Sequence, residues 1–358
     1  MKRILIMAVA FLIAAAPSFA QVSIDRKVDS LLAIMTLDEK IGQMNQLHPD
    51  IHDLETEIRS GKVGSVLSVV GTEWMNRLQK IAVEETRLGI PLLNGRDVIH
   101  GFRTIFPIPL GQAASFNPEI VREGAAIAAE EAYHEGINWT FAPMLDISHD
   151  ARWGRIAESL GEDPLLAGIM GAAMVEGFQG ADPENISGIA ACAKHFVGYG
   201  AAEGGRDYNS TNIPERRLRN LHLRPFKAVA DAGVASLMTA FNDNDGIPMT
   251  GNTRLIRDIL RQEWGWDGMI VSDWESIREM IAHGFCQDDV EAAYKAAVAG
   301  VDVEMVSETY IRNLKKMVED GIVPMSVIDQ SVDNILRLKF RLGLFDNPYW
   351  QPAEAPSS

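Results

Sequence analysis

The chain has 358 residues, 47% of them hydrophobic, so it can bury a large core, and it carries a formal charge of −16. That charge argues against nucleic acid and anionic membrane surfaces as partners and suits a neutral substrate. Its two cysteines, Cys192 in an apolar run and Cys286 in an expected loop, are too few for a disulfide framework, and no residue spacing suggests a metal site, so neither metal nor cofactor is expected.

Residues 1–20 read as an export signal. Lys2 and Arg3 form the positive start, Ile4 to Ala16 the apolar stretch, and Ser18-Phe19-Ala20 a small-x-small cleavage site. The mature chain is then expected to start near Gln21, in the periplasm or outside the cell. No later stretch is long and apolar enough to span a bilayer, so no membrane insertion is expected.

Strand-like runs then alternate with amphipathic helical patterns. Residues 63–69, 91–97, 138–146, 188–196, 235–242, 268–274 and 301–305 read as strands, with a weaker eighth at 43–47. Between and after them lie helical patterns up to residue 87, then near 118–135, 164–179, 214–232, 253–263, 288–299, 309–319 and 325–342. Repeated βα units of this number predict one (β/α)8 barrel over residues 21–347, with an imperfect first strand. The Pro/Ser-rich segment 348–358 is expected to be a disordered tail.

The strand ends carry the informative residues: Asp97, Asp146, Lys194-His195, Asn242, Asp273 and Glu304. In a barrel of this kind, the carboxyl ends of the strands face the active site. GMIVSDWE places Asp273 at the end of a buried strand, beside a Trp274 whose flat ring suits the weakly polar face of a sugar. The same Asp also fits a helix N-cap in S-D-W-E-S-I-R-E. Asp97 can accept paired hydrogen bonds from vicinal hydroxyls, and Arg103 can orient a carboxylate or bond a sugar oxygen. Arg152 and Arg155 flank a Gly turn and fit either a hydroxyl clamp or a solvated loop. Lys194 and His195 are costly to bury unless hydrogen-bonded. They fit a sugar-gripping pair, and His195 also fits a general base or a satisfied core histidine. The loop EGGRDYN brings Glu203 and Arg206 toward the same face.

The segments MTLDEKIGQM, RDVIHGFRTIFPIPLG, RWGRIAESLGEDP, KHFVGYGAAEGG, FNDNDGIPMTGN, GMIVSDWESI and LGLFDNPY occur in this order between Met35 and Tyr349. In these the chain resembles the family 3 glycoside hydrolases, especially the periplasmic β-glucosidase-like branch. The resemblance implies a retaining, exo-acting hydrolase that releases non-reducing terminal β-linked glucose through a covalent glycosyl-Asp intermediate, with a β-glucoside or oligosaccharide as substrate. It makes Asp273 the nucleophile. Asp97, Arg155, Lys194 and His195 line the subsite for the non-reducing sugar, and Arg103, Arg206 and Trp274 support it.

The departures from the family pattern bear on the acid/base. In the resembled branch it is a Glu of a second, α/β-sandwich domain, which this sequence is expected to lack. In the N-acetylglucosaminidase branch it belongs to a loop beginning KHFPGHG, where this chain has Val197 and Tyr199. Phe241 stands where many members have Tyr, and Ser159 where Gly is more usual. Three readings follow: a truncated β-glucosidase, a single-domain hydrolase drawing its acid from Glu203 or Glu304, or a non-enzymatic sugar-binding barrel. The first two leave open a β-xylosidase or N-acetylglucosaminidase type of specificity.

Overall fold

Val66, Leu93, Trp139, Ala191, Leu237 and Ile270 are each at most 1% exposed, as expected of apolar runs covered on both faces of a parallel sheet. The computed structural model, which describes residues 19–351, gathers them into eight parallel strands. These are β1 Asn45–Leu47, β2 Ser65–Leu67, β3 Leu93–Arg96, β4 Trp139–Thr140, β5 Ala190–Phe196, β6 Ser236–Thr239, β7 Met269–Val271 and β8 Glu304–Met305. Strands adjacent in the chain pair from β1 to β7, and β8 returns to pair with β1. A parallel bridge between Val271 and Val303 joins β7 to β8, where the Ser272 N–H donates to Val303 O at 2.9 Å. The sheet therefore closes into the expected (β/α)8 barrel. Its first strand is only three residues long, yet Asn45 pairs with Glu304 and Gln46 with Ser65.

The outer helices fall where the apolar periodicity predicts them, among them Pro118–Tyr133, Pro164–Gln179, Asp289–Ala299, Thr309–Glu319 and Met325–Arg341. Two start on a Pro behind a polar cap: Asn117 accepts from Glu119 N, and Asp163 from Leu165 N and Leu166 N. Inside the barrel, Gly95 of β3 is needed because a Cβ there would lie 2.5 Å from the Phe141 ring.

Three expectations are adjusted. The strand expected over 138–146 is two residues long, because Pro143 has no N–H to donate to a ladder. The strand expected to Asn242 ends at Thr239, and an antiparallel hairpin follows, Asp243–Asn244 against Ile247–Pro248. The tail expected from Pro348 is packed at its start: Trp350 is 2% exposed, and its N–H donates to Asn76 Oδ1 at 2.9 Å. Residues 352–358 lie outside the described residues. So does the expected leader, except for Phe19 and Ala20, which open the helix Phe19–Ile34. Among the described residues no helix is long and apolar enough to cross a membrane, and no cluster of three or more His, Cys, Asp or Glu could hold a metal ion. Cys192 and Cys286 are both free and buried.

Candidate active site

Four strand ends or following loops, those of β3, β4, β5 and β7, converge on one cluster. From the end of β5, Lys194 Nζ donates to Asp97 Oδ1 at 2.5 Å, just beyond β3, and lies 3.8 Å from Glu158 Oε2. The Lys194 side chain is 4% exposed while that of Asp97 is 57% exposed, so the cluster opens to solvent over Asp97. Arg155, on the turn Gly154–Glu158, donates from Nε to Glu158 Oε1 at 2.7 Å, and its guanidinium sits 5.6 Å from the Tyr199 ring centre. Burial works against the Arg155 charge, but Glu158 and Asp273 hold its pKa above the ordinary range.

Asp273 follows β7. Its Oδ1 accepts from the Trp274 N–H at 2.7 Å, and its Oδ2 is buried with no hydrogen-bond partner. The helix-cap alternative does not hold, because the next helix, Ser276–Ala282, has Glu275 at its cap position and no capping side chain. Burial pushes Asp273 up to about 6, against the pull of Lys194 and Arg155. The two cations favour the carboxylate, as the sequence implies, but removal from water outweighs them. Trp274 is 36% exposed at the rim, edge-on to His48 at 5.5 Å between ring centres.

His195 lies beneath the nucleophile candidate rather than open to the cavity. It is 0% exposed; Nδ1 is 2.8 Å from Asp146 Oδ2, and Nε2 is 3.4 Å from Asp273 Oδ2. Asp146 Oδ2 also accepts from the His195 backbone N–H at 3.0 Å. Burial pushes Asp146 up to about 7 and, together with Arg155 and Lys194, holds His195 well below its ordinary value. Ser159, the departure from a more usual Gly, donates from Oγ to Asp146 O at 2.8 Å and so ties down that loop.

The structure thus brings together Asp97, Arg155, Lys194, His195, Asp273 and Trp274. Arg103 goes elsewhere: its side chain is 63% exposed and paired with Glu135, while its backbone N–H donates to Glu131 Oε2 at 2.8 Å. Arg206 is exposed on the loop that Gly205 holds against Trp153, and its N–H donates to Glu203 O at 3.3 Å, away from the cluster. Arg152 is likewise paired at the surface, with Asp150.

The two glutamates considered as internal acids are both engaged away from Asp273. Glu203 is exposed, bonds Asn212, and lines a separate cleft with His149, Asp150 and Arg217. Glu304 is 0% exposed and accepts from Ser307 Oγ, Thr309 Oγ1, Tyr310 N and Ile311 N. Asn242 is also structural, donating to Thr211 Oγ1 at 3.3 Å. Sequence reasoning missed Glu158, although its spacing of three from Arg155 is a recognisable pairing signal. It also missed Glu279, which burial and then Asp273 push up to about 7. Phe241, standing where many family members have Tyr, packs on Tyr208 at 4.5 Å and Tyr199 at 5.7 Å between ring centres.

A model of the glycosyl hydrolase family 3 N-terminal domain matches residues 36–338. The periplasmic beta-glucosidase of Salmonella typhimurium is 41% identical over 91% of this chain and 43% of its own length. A beta-xylosidase of Formosa agariphila is 36% identical over 90% of this chain and 43% of its own length. A beta-glucosidase from Listeria innocua, solved in complex with isofagomine, superposes with a TM-score of 0.88 at 43% identity, covering 93% of this chain and 48% of that one. The same protein has been solved with glucose. The chain therefore spans less than half the length of these relatives. With the domain match running over most of its residues and these identities beside it, the chain belongs to glycosyl hydrolase family 3, of which it carries the N-terminal barrel domain.

Proposed function

We propose that this barrel is the nucleophile-bearing part of an exported, retaining, exo-acting β-glycosidase that releases non-reducing terminal β-linked glucose. The observation that carries the reading is Asp273 Oδ2: a buried carboxylate oxygen with no partner, at the carboxyl end of a barrel strand, beside two cations and below an opening edged by Asp97. In the first step Oδ2 attacks the anomeric carbon, the glycosidic oxygen leaves with the bond pair, and a glycosyl ester on Asp273 forms. Water then attacks the same carbon, loses a proton and frees the carboxylate. Asp97 accepts from sugar hydroxyls, Lys194 and Arg155 donate to them, and Trp274 covers one ring face. His195 supports the nucleophile more than it grips sugar, because it is fully buried. Arg103 is not part of this reading, and Arg206 enters it only through the resemblance.

The general acid/base of the reading is a Glu from a second domain, consistent with relatives more than twice as long and with the engagement of Glu203 and Glu304 elsewhere. Export rests on the leader-like residues 1–20 and on a periplasmic relative. A xyloside specificity is the second reading, favoured by the Formosa relative.

The test is incubation with 2-fluoro glucoside and 2-fluoro xyloside bearing activated leaving groups, which need little acid assistance. The expected outcome is a covalent adduct on Asp273, formed faster with the glucoside, and none in Asp273→Ala. An adduct on another residue overturns the assignment, and a sugar bound without any adduct supports a binding barrel. On aryl glucosides, added azide should speed turnover, because it attacks the glycosyl ester without needing a base.

A further inference from the structure

Asp273 Oδ2 and His195 Nε2 are both buried, both lack a hydrogen-bond donor or acceptor of their own, and lie 3.4 Å apart. An ionised Asp273 offers a lone pair there. If His195 carries its proton on Nδ1, facing Asp146, Nε2 offers a second lone pair, and two acceptors confront each other away from water. Such a contact is costly, and a single proton on Nε2 removes the cost.

The wider cluster favours that proton. Asp97, Glu158, Asp146 and Asp273 bring four carboxyl groups, against only Lys194 and Arg155 as fixed cations. Tyr199 adds only a ring edge, 5.3 Å from His195 between centres. Burial of Asp146 disfavours its charge, in keeping with a neutral acid at that position.

We infer that Asp146 and His195 form a positioning pair for the nucleophile: a neutral Asp146 donates its O–H to His195 Nδ1, and the Nε2–H of His195 donates to Asp273 Oδ2. This rests on the reading of Asp273 as the nucleophile. The pair holds Oδ2 in line for attack and keeps Asp273 ionised, and it does so without a net charge of its own. When the Asp146 proton is lost, the new carboxylate takes the Nδ1–H tautomer, and Nε2 turns a bare lone pair on the nucleophile.

Asp146→Asn separates the two tautomers. The oxygen facing the His195 backbone N–H at 3.0 Å must remain an acceptor, so the amide accepts from Nδ1–H and leaves Nε2 bare. With an activated 2-fluoro glucoside, wild-type trapping on Asp273 should fall at alkaline pH although the leaving group needs no acid. In Asp146→Asn it should be slower by on the order of 10²-fold, with that alkaline limb gone. Nitrogen-15 spectra of the histidine rings give a readout independent of trapping. At pH 6, wild-type His195 should show Nε2–H with Nδ1 unprotonated, and the variant the reverse. A wild-type Nε2 that is bare at pH 6 overturns the pair, even where the variant does not fold. So does wild-type trapping speed with an unchanged alkaline limb in Asp146→Asn. Absence of an adduct on wild-type Asp273 overturns the nucleophile reading instead and leaves the tautomer measurement standing.

Discussion

Glu304 gives the sharpest separation between a structural and a chemical carboxylate. It sits at the start of β8, and its two oxygens accept from four donors: Ser307 Oγ at 3.0 Å, Thr309 Oγ1 at 2.8 Å, Tyr310 N at 2.9 Å and Ile311 N at 3.2 Å. The last two are the exposed-end donors of the helix Thr309–Glu319, whose own cap position, Glu308, supplies no side-chain bond. Glu304→Ala removes this cap, worth about 1 kcal/mol. It also strands buried donors at about 1–3 kcal/mol each and opens a cavity, although the two hydroxyls can turn elsewhere. The expected loss is about 3–5 kcal/mol, or on the order of 10 °C in Tm for a chain of this size. Glu304→Gln keeps an oxygen for the two N–H groups and turns an amide toward two hydroxyls that can accept, so it should cost only about 1 kcal/mol. Thermal unfolding followed by circular dichroism reads both, and cellobiose and aryl glucoside rates read the chemistry. If Glu304→Ala unfolds like the wild type, the capping account is wrong. If folded Glu304→Gln loses cellobiose turnover by more than about 10²-fold while keeping the aryl substrate, Glu304 is the acid after all.

Three further outcomes are expected. Asp97→Ala should lower kcat/KM on an aryl glucoside by about 10²-fold or more if, as proposed, its exposed carboxylate, held on Lys194, accepts from sugar hydroxyls; an unchanged value removes Asp97 from the site. Asp273 must be ionised to attack, and burial pushes it up to about 6, so trapping by an activated fluoro glucoside should rise with pH through that region. Lys194→Met deletes the largest opposing pull, so the acid limb should move to higher pH; a limb that stays in place shows that Asp273 does not set it.

The barrel was legible because its strands are buried on both faces, which writes them as short apolar runs between Gly, Pro and helix patterns. All eight strand positions were recoverable, even the three residues of β1. Their ends were not, since a ladder stops where a neighbour's backbone stops offering partners. Thr140 ends β4 ahead of Pro143, and Thr239 ends β6 where the chain turns into the hairpin. That hairpin did carry a local signal: Asp245-Gly246 are both left-handed, with φ of 54° and 77°, as a tight hairpin turn requires.

The site divides along the same physical line. Residues fixed by the strands themselves, Lys194, His195, Asp273 and Asp97 one step past β3, have their direction set by the barrel, so a strand-end position predicts where they go. Arg103 lies seven residues past Arg96, the last strand position it could inherit direction from. The bridge between Gly101 and Ile105 turns that loop back on itself; Glu131 on the outer helix Pro118–Tyr133 claims its N–H, and Glu135, two residues past that helix, claims its guanidinium. Glu304 shows the converse: it is a strand-end residue, but at the first position of β8, where the nearest unsatisfied groups are a helix's own N–H donors rather than solvent or substrate. A strand-end carboxylate is therefore informative only with a second condition, that some of its oxygens remain uncommitted. Asp273 meets it with Oδ2, and Asp146 with Oδ1. Glu304 does not, and a single chain of letters does not record which backbone N–H groups a carboxylate has already answered.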